Sequence, residues 1–137
     1  MNLAYPYALE PQPDGGFFVQ FMDLEEAFTE GDTVEEAAFN AAEVLSGILA
    51  HRLEQGDEIP DPSPAAGHHV ALPSASVQSA LLIRSARGQR PLSELARALD
   101  TSWPAAQRLE NPHHWPTLKQ LDKAARAMGK RLVLSIE

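Results

Sequence analysis

The chain has 137 residues, 44% of them hydrophobic, with 11 Lys and Arg against 19 Asp and Glu and no cysteine. This length suits one domain or two small ones joined by a linker, and the apolar content is sufficient for a packed core. The composition excludes disulfides and thiolate metal sites, and no apolar run is long enough to span a membrane. The N-terminus lacks the pattern of a signal peptide, so we expect a cytoplasmic protein.

The net charge of −8 is divided unequally along the chain. Residues 1–78 hold one basic residue, Arg52, and fourteen acidic ones, a net charge of −13. Residues 79–137 hold ten basic and five acidic residues, a net charge of +5. Such asymmetry suggests two partners of opposite charge. The alternatives are two halves that attract each other, or an acidic face that only maintains solubility.

The first half begins with strand signals. Residues 2–9 (NLAYPYAL) predict a strand, and Pro6 within them suggests an edge position in the sheet. The stretch PQPDGG has the residues of a turn, and GFFVQF after it predicts a second strand with alternate residues on one face. A short extended piece at residues 27–29 predicts a third strand.

One long helix follows these strands. Thr33 and Glu36 have the spacing of a capping box, and Gly56 marks the helix end. The apolar stripe of this helix is Val34, Ala37, Ala38, Ala41, Leu45, Ile48, Leu49 and Leu53. After a proline-rich loop, HHVALP predicts one more strand, so the first half is predicted as β-β-β-α-β with the helix on one face of the sheet.

From Ser74 onward the pattern predicts four short helices, VQSALLIRSARG, SELARALD, PAAQRLEN and LKQLDKAARAM. Ser102 is placed to cap the third, Thr117 and Gln120 form a capping box for the fourth, and Gly129 ends it. The terminal segment KRLVLSIE alternates Leu132, Leu134 and Ile136 on one face and predicts a strand. Because a lone strand must pair with something, we expect this segment to pair with a second copy of the chain in a dimer.

The stretch LSELARALDTSWPAAQRLEN fits a helix-turn-helix. Its inward residues are Leu95, Ala96, Leu99, Ala106 and Leu109, and Asp100 occupies the tight turn. Arg97 is a further phosphate-contact candidate beside the predicted DNA-binding residues. Those residues are Arg90, Ser102, Trp103, Ala105, Gln107, Arg108 and Lys119. The alternatives are a small helical bundle that docks another protein and, for Trp103, a side chain that only covers the core.

The acidic residues raise the question of an enzyme. Asp14, Asp23, Glu25 and Asp32 are candidates for Mg²⁺ binding in a nuclease, but acids in loops and first helical turns are commonly solvated. The pairs His68–His69 and His113–His114 are metal candidates whose simpler interpretation is ordinary loop histidines. We therefore predict no metal site, no cofactor and no enzymatic activity.

Two segments together resemble the HicB family of antitoxins. The first is DGGFFVQFMDLEEAFTEGDTVEEAAFNAAEVL after the Tyr5-Pro6 strand, and the second is the helix-turn-helix with LKQLDKAARAMGKRL after it. The residues that carry the first are Asp14, Gly15, Gly16, Asp23, Leu24, Thr29, Gly31, Asp32, Thr33, Glu35, Glu36 and Ala37. The chain departs from the family at Glu25-Glu26-Ala27, where a Pro-Gly element is frequent, and at Leu92, where Gln is frequent.

The resemblance implies an α+β fold, with a partial ribonuclease-H-like domain at residues 1–73 and a helix-turn-helix domain at 74–137. It implies that the first domain binds and inhibits a small basic HicA-type mRNA interferase toxin, here through Asp23, Glu25, Glu26 and Glu30. It also implies that the second domain represses the shared operon as a homodimer or higher oligomer bound to operator DNA. The alternative is a stand-alone transcriptional regulator whose first domain senses another protein or a ligand.

Overall fold

The computed structural model describes all 137 residues and divides into an N-terminal unit, Met1–Ala75, and a C-terminal unit, Ser76–Glu137. It contains one antiparallel four-stranded sheet and five helices, which confirms the predicted α+β class. None of the helices combines the length and the apolar character that crossing a membrane requires.

The N-terminal unit has the predicted order of elements. Its strands are β1 (Tyr5–Pro11), β2 (Phe17–Phe21), β3 (Phe28–Gly31) and β4 (His69–Ala71), and the helix α1 (Val34–Gln55) lies between β3 and β4 in the chain. The strand order in the sheet is β3-β2-β1-β4, and every neighbouring pair is antiparallel. The sheet edges are therefore β3 and β4.

The edge position suggested by Pro6 is wrong, because β1 is a central strand and Pro6 is fully buried. The Pro6 carbonyl accepts a hydrogen bond from the Met22 amide at 3.1 Å. In a strand, the N–H and C=O groups of one residue point to the same side, so the missing amide faces Met22. Met22 lies just past the last residue of β2, so the proline falls where the β1–β2 ladder ends and few hydrogen bonds are lost.

The predicted alternation along β2 is confirmed. Val19 and Phe21 are buried on the face that α1 covers, and Phe17 is half-buried beside them. Tyr5, Leu45 and Leu49 are also fully buried, and form with Val19 and Phe21 the centre of the core. The turn before β2 contains Gly15 and Gly16, both with positive φ, as its sequence predicts.

The helix α1 begins and ends as predicted, with one change in its cap. Thr33 Oγ1 accepts from the Glu36 amide at 3.0 Å, but Glu36 Oε2 accepts from the Asp32 amide at 3.3 Å rather than from that of Thr33. At the other end Gly56 adopts φ 71° and closes the helix. Of the predicted stripe, Ala37, Ala41, Leu45 and Leu49 are buried, and Ile48 and Leu53 are half-buried. Val34 and Ala38, predicted as part of the stripe, are exposed.

The four helices of the C-terminal unit are α2 (Ala75–Arg87), α3 (Leu92–Ala98), α4 (Trp103–Arg108) and α5 (Leu118–Ala127). Their core contains Ile83, Leu95, Ala96, Leu99, Ala106, Leu109, Ala124 and Met128. The capping box of α5 is complete, since Thr117 Oγ1 accepts from the Gln120 amide and Gln120 Oε1 accepts from the Thr117 amide. Gly129 follows α5 with φ 72°.

The C-terminal segment forms no strand within the single chain. Leu132 is half-buried, whereas Val133, Leu134 and Ile136 are 73%, 64% and 103% exposed. The strand prediction is therefore wrong for the isolated chain, because no other segment supplies the ladder that a strand needs. Pairing of this segment with a second copy stays a prediction.

Candidate functional sites: a helix pair and an acidic surface

The helices α3 and α4 are joined by a tight turn. Asp100 takes the left-handed conformation there with φ 53°, and the Thr101 amide donates to the Ala96 carbonyl at 2.9 Å. Ser102 Oγ then accepts from the Ala105 amide at 3.2 Å and caps α4. Ala96 and Ala106 are buried, so small side chains occupy the inner sides of both helices.

The outward side of α4 carries the residues that the sequence assigns to it. Trp103 is 47% exposed, Gln107 and Arg108 are exposed, and Ala105 is half-buried. Trp103 and Gln107 are four residues apart, so they project from the same side of the helix, with Arg108 next to them. Arg97 of α3 and Lys119 of α5 are exposed as well.

Arg90 has a different setting from the other candidate DNA contacts. It is half-buried, and its guanidinium donates to the carbonyls of Arg87 at 3.2 Å and Ala86 at 3.0 Å. These carbonyls lie in the last turn of α2, where backbone acceptors lack partners within the helix. The structure therefore gives Arg90 the role of capping α2.

An ion pair that sequence reasoning missed links the end of α2 to Glu110, two residues after the end of α4. Arg87 Nε and Nη2 donate to the two carboxylate oxygens of Glu110 at 2.6 and 2.9 Å, and Arg87 Nη1 donates to the Arg90 carbonyl at 2.6 Å. The two side chains are 19% and 10% exposed. The hydrogen bond to Glu110 raises the pKa of Arg87 above its ordinary value. No short-range sequence pattern predicts this pair, because its partners are 23 residues apart in the chain.

In the N-terminal unit the only basic residue is already paired. Arg52 Nε and Nη2 donate to both carboxylate oxygens of Glu26 at 2.8 and 2.9 Å, and Arg52 Nη1 donates to the Glu58 carbonyl at 2.9 Å. The hydrogen bond from Arg52 lowers the pKa of Glu26. Glu26 thus stabilises the loop after β2 and is not a free acid.

Asp23 is also engaged within the unit. Its carboxylate accepts from the Ser63 amide at 2.8 Å and from the Ser63 hydroxyl. Three residues before Ser63, the Pro60 carbonyl accepts a hydrogen bond from the Tyr5 hydroxyl at 2.7 Å. Burial, reinforced by the charges of Asp61 and Asp23, raises the pKa of Tyr5 to about 12. The proline-rich loop is therefore fastened to the sheet and to α1, a feature that its composition does not indicate.

The other two predicted toxin contacts are more available. Glu25 and Glu30 are both exposed, and Glu30 accepts from Gln12 Nε2 at 3.1 Å. The four acids thus differ in kind: Asp23 and Glu26 hold the loops together, whereas Glu25 and Glu30 face outward.

The candidate metal ligands do not come together. No group of three or more His, Asp or Glu side chains is arranged to hold a metal ion. The ring of His69 stacks on Tyr7 with centroids 5.6 Å apart, and the His113 amide donates to Asn111 Oδ1 at 2.9 Å.

Comparison with known proteins identifies relatives over nearly the whole chain. Residues 4–80 match the family described as "HicB_like antitoxin of bacterial toxin-antitoxin system". The chain is 36% identical to "Antitoxin HicB 1" of Photorhabdus laumondii, over 99% of this chain and 88% of that protein. It is 37% identical to "Antitoxin HicB" of Escherichia coli K12, over 96% of this chain and 98% of that protein. A protein of the same name from Pseudomonas fluorescens is 27% identical over 99% of this chain and 97% of its own length. The chain therefore belongs to the HicB-like antitoxin family.

Proposed function

We propose that this chain is a non-enzymatic antitoxin that binds and inhibits a small basic HicA-type mRNA interferase and represses its own operon by binding operator DNA. The single observation that carries the proposal is its similarity to proteins named antitoxin HicB across both units, at 36–37% identity. The division of charge supports it, because each unit has the sign that suits one of the two partners.

The N-terminal unit is the proposed toxin-binding unit. Its net charge is −13, and Arg52, its only base, is held by Glu26. A surface of this sign attracts a basic protein and speeds the encounter. Of the four predicted contacts, Glu25 and Glu30 are proposed to meet the toxin directly, whereas Asp23 and Glu26 shape the loops from which Glu25 projects.

The C-terminal unit is the proposed DNA-binding unit, with α3 and α4 as a helix-turn-helix. In this proposal Gln107 and Arg108 read base edges, Arg97 and Lys119 contact phosphates, and Trp103 lies against the backbone. Ser102 and Ala105 are proposed to lie at the phosphate backbone at the start of α4, and Arg90 to support the site by capping the end of α2. Leu132, Leu134 and Ile136 are proposed to pair with a second copy, so that two recognition helices lie about 34–36 Å apart.

The proposal predicts a short, basic reading frame next to the gene of this chain, and is tested by co-expressing the chain with the product of that frame. Growth rescue and a purified complex are expected. A toxin that binds neither in cells nor in purified form would refute the antitoxin role, and retained operator binding would then favour the stand-alone regulator.

A pair of double variants tests the two surfaces separately. Gln107→Ala with Arg108→Ala is expected to abolish the operator gel shift and keep toxin binding. The control, Gln89→Ala with Lys123→Ala, also removes one side-chain amide and one positive charge, but elsewhere on the C-terminal unit. Unchanged gel-shift affinity in the first variant would contradict the recognition-helix assignment.

Charge reversal tests the toxin contacts. Glu25→Lys with Glu30→Lys is expected to weaken toxin capture more than Glu35→Lys with Glu43→Lys, which changes the net charge equally on α1. Equal losses would mean that only the total charge matters, and no loss at low or high salt would mean that the acids serve solubility.

A further inference from the structure

The sheet of the N-terminal unit has a second face, opposite the one that packs against α1, here called the open face. The register of the strands assigns its residues, because every second residue of a strand lies on the same face. They are Pro6, Ala8, Glu10, Phe18, Gln20, Phe28, Glu30 and Val70.

Part of the open face is occupied by the chain itself. Gln20 Nε2 lies 3.1–3.4 Å from the carbonyls of Phe21, Leu24, Glu25 and Ala27, so its side chain is taken up in holding the loop between β2 and β3. Pro6 is fully buried. The accessible part of the open face near β3 therefore lies around Phe18 and Phe28, whereas Val70 lies on β4 at the opposite edge.

This accessible part combines aromatic and acidic side chains. Phe28 is 54% exposed, and the centroid of its ring lies 6.2 Å from that of the half-buried Phe18 ring. The cross-strand neighbours of Phe18 are Glu10 on one side and Glu30 on the other, both exposed. An apolar patch that remains exposed in this way is typical of a protein interaction site, and the acids beside it select for a cationic partner.

We propose that the open face is the docking surface for a basic protein, with Phe28 as its apolar anchor and Glu10 and Glu30 as partners for Lys or Arg side chains. This inference rests on the proposed antitoxin function, since the basic protein is the toxin of that proposal. The charge of the unit decides the occupant. Two copies of the N-terminal unit at −13 each repel one another, whereas a basic protein is attracted, and Arg52 is not available to neutralise the surface from within.

The proposal makes Glu10 a toxin contact, although it is distant in sequence from the four acids first assigned to that role. It also gives the interface an aromatic centre, which matters because buried aromatic anchors contribute most to affinity.

Phe39 provides a matched control for Phe28. It lies on α1, is 67% exposed, and projects away from the sheet, because the buried residues Ala37 and Ala41 lie on the opposite side of the helix. Both phenylalanines can be replaced by serine without opening the core or changing the charge.

The experiment measures the affinity of the full-length chain for the product of the adjacent basic reading frame by titration calorimetry. Phe28→Ser is expected to weaken binding at least about tenfold and Phe39→Ser less than about twofold. Glu10→Lys is expected to weaken binding more than the control Glu43→Lys. Unfolding followed by far-ultraviolet circular dichroism verifies that each variant is folded.

The outcomes separate the two proposals. A wild-type chain that does not bind the basic protein overturns the antitoxin function and this inference with it. Binding by the wild type that Phe28→Ser and Glu10→Lys leave unchanged overturns only the docking surface. If Phe28→Ser instead abolishes self-association of the chain alone and leaves toxin affinity unchanged, the open face binds a second copy and the inference is wrong.

Discussion

The Arg87–Glu110 pair is predicted to decide whether the C-terminal unit folds. Replacing Glu110 with Ala leaves the guanidinium of Arg87 largely enclosed, with the Arg90 carbonyl as its remaining acceptor. Removing one partner of a buried pair costs about 3–5 kcal/mol. Because Arg87 keeps a residual exposure of 19%, the expected cost lies at the lower end of this range, about 3 kcal/mol. A unit of this size, Ser76–Glu137, has a total stability of only about 3–9 kcal/mol.

The chain is well suited to measuring this loss. Its two tryptophans, Trp103 and Trp115, both lie in the C-terminal unit, and its two tyrosines, Tyr5 and Tyr7, lie in the other. Tryptophan fluorescence in urea therefore reports the unfolding of the C-terminal unit alone. With a slope of about 1 kcal/mol per molar for a unit this small, Glu110→Ala is expected to lower the urea midpoint by about 3 M.

The control is the exposed pair of Asp122 and Arg126 on α5, in which Asp122 Oδ2 and Arg126 Nε are 3.3 Å apart. Their side chains are 48% and 76% exposed. Asp122→Ala is expected to cost less than about 0.5 kcal/mol, because surface pairs of this spacing contribute little. If Glu110→Ala shifts the midpoint no more than Asp122→Ala does, the ion pair does not stabilise the unit, and the reasoning from its burial is refuted.

Three further changes test the backbone and the core. Gly31→Ala places a Cβ 2.4 Å from the Ala37 amide nitrogen and is expected to lower the free energy of unfolding by about 3 kcal/mol, measured by thermal unfolding followed by circular dichroism. The control Gly47→Ala, whose Cβ meets nothing within 4 Å, should stabilise α1 by up to about 1 kcal/mol. Equal effects of the two substitutions would refute the clash at Gly31. Tyr5 has a raised pKa, so its stabilising contribution is complete below pH 10 and is lost as the pH rises to about 12, a loss of at most about 3 kcal/mol. Tyr5→Phe should therefore flatten the fall in unfolding free energy over that range, and an unchanged slope would contradict the assignment. Asp100→Gly should raise the free energy of unfolding of the C-terminal unit by about 0.5 kcal/mol, and its urea midpoint by about 0.5 M, because glycine adopts φ 53° without strain. A lower midpoint would show that the aspartate is needed there.

The features that the sequence predicts correctly are those determined by residues close together in the chain. Ser102 and Thr117 cap the helices expected of them, and Asp100 adopts the expected left-handed turn. Each of these signals acts over about three residues, so neighbouring side chains and backbone groups decide it alone.

The features that the sequence does not predict depend on partners far apart in the chain. Asp23 and Ser63 are 40 residues apart, and Arg52 and Glu26 are 26 apart, so their pairing follows from the way the sheet and α1 bring the loops together. The edge position that the sequence predicts for Pro6 is wrong for the same reason. A proline is compatible with a central strand where the neighbouring ladder ends, and where a ladder ends is a property of the whole sheet.

These long-range pairs change how the acidic surface is expected to act. Steering of a basic partner depends on the total charge, to which Asp23 and Glu26 contribute whether or not they are paired. Residence time depends on contacts made in the complex, which acids already bonded to Ser63 and Arg52 can make only by giving up those bonds. Reversal of exposed acids on the open face, such as Glu10 and Glu30, should therefore raise the dissociation rate, whereas the helix control at Glu35 and Glu43 should mainly lower the association rate. Equal changes in both rates for the two pairs would mean that the acids act only through their summed field.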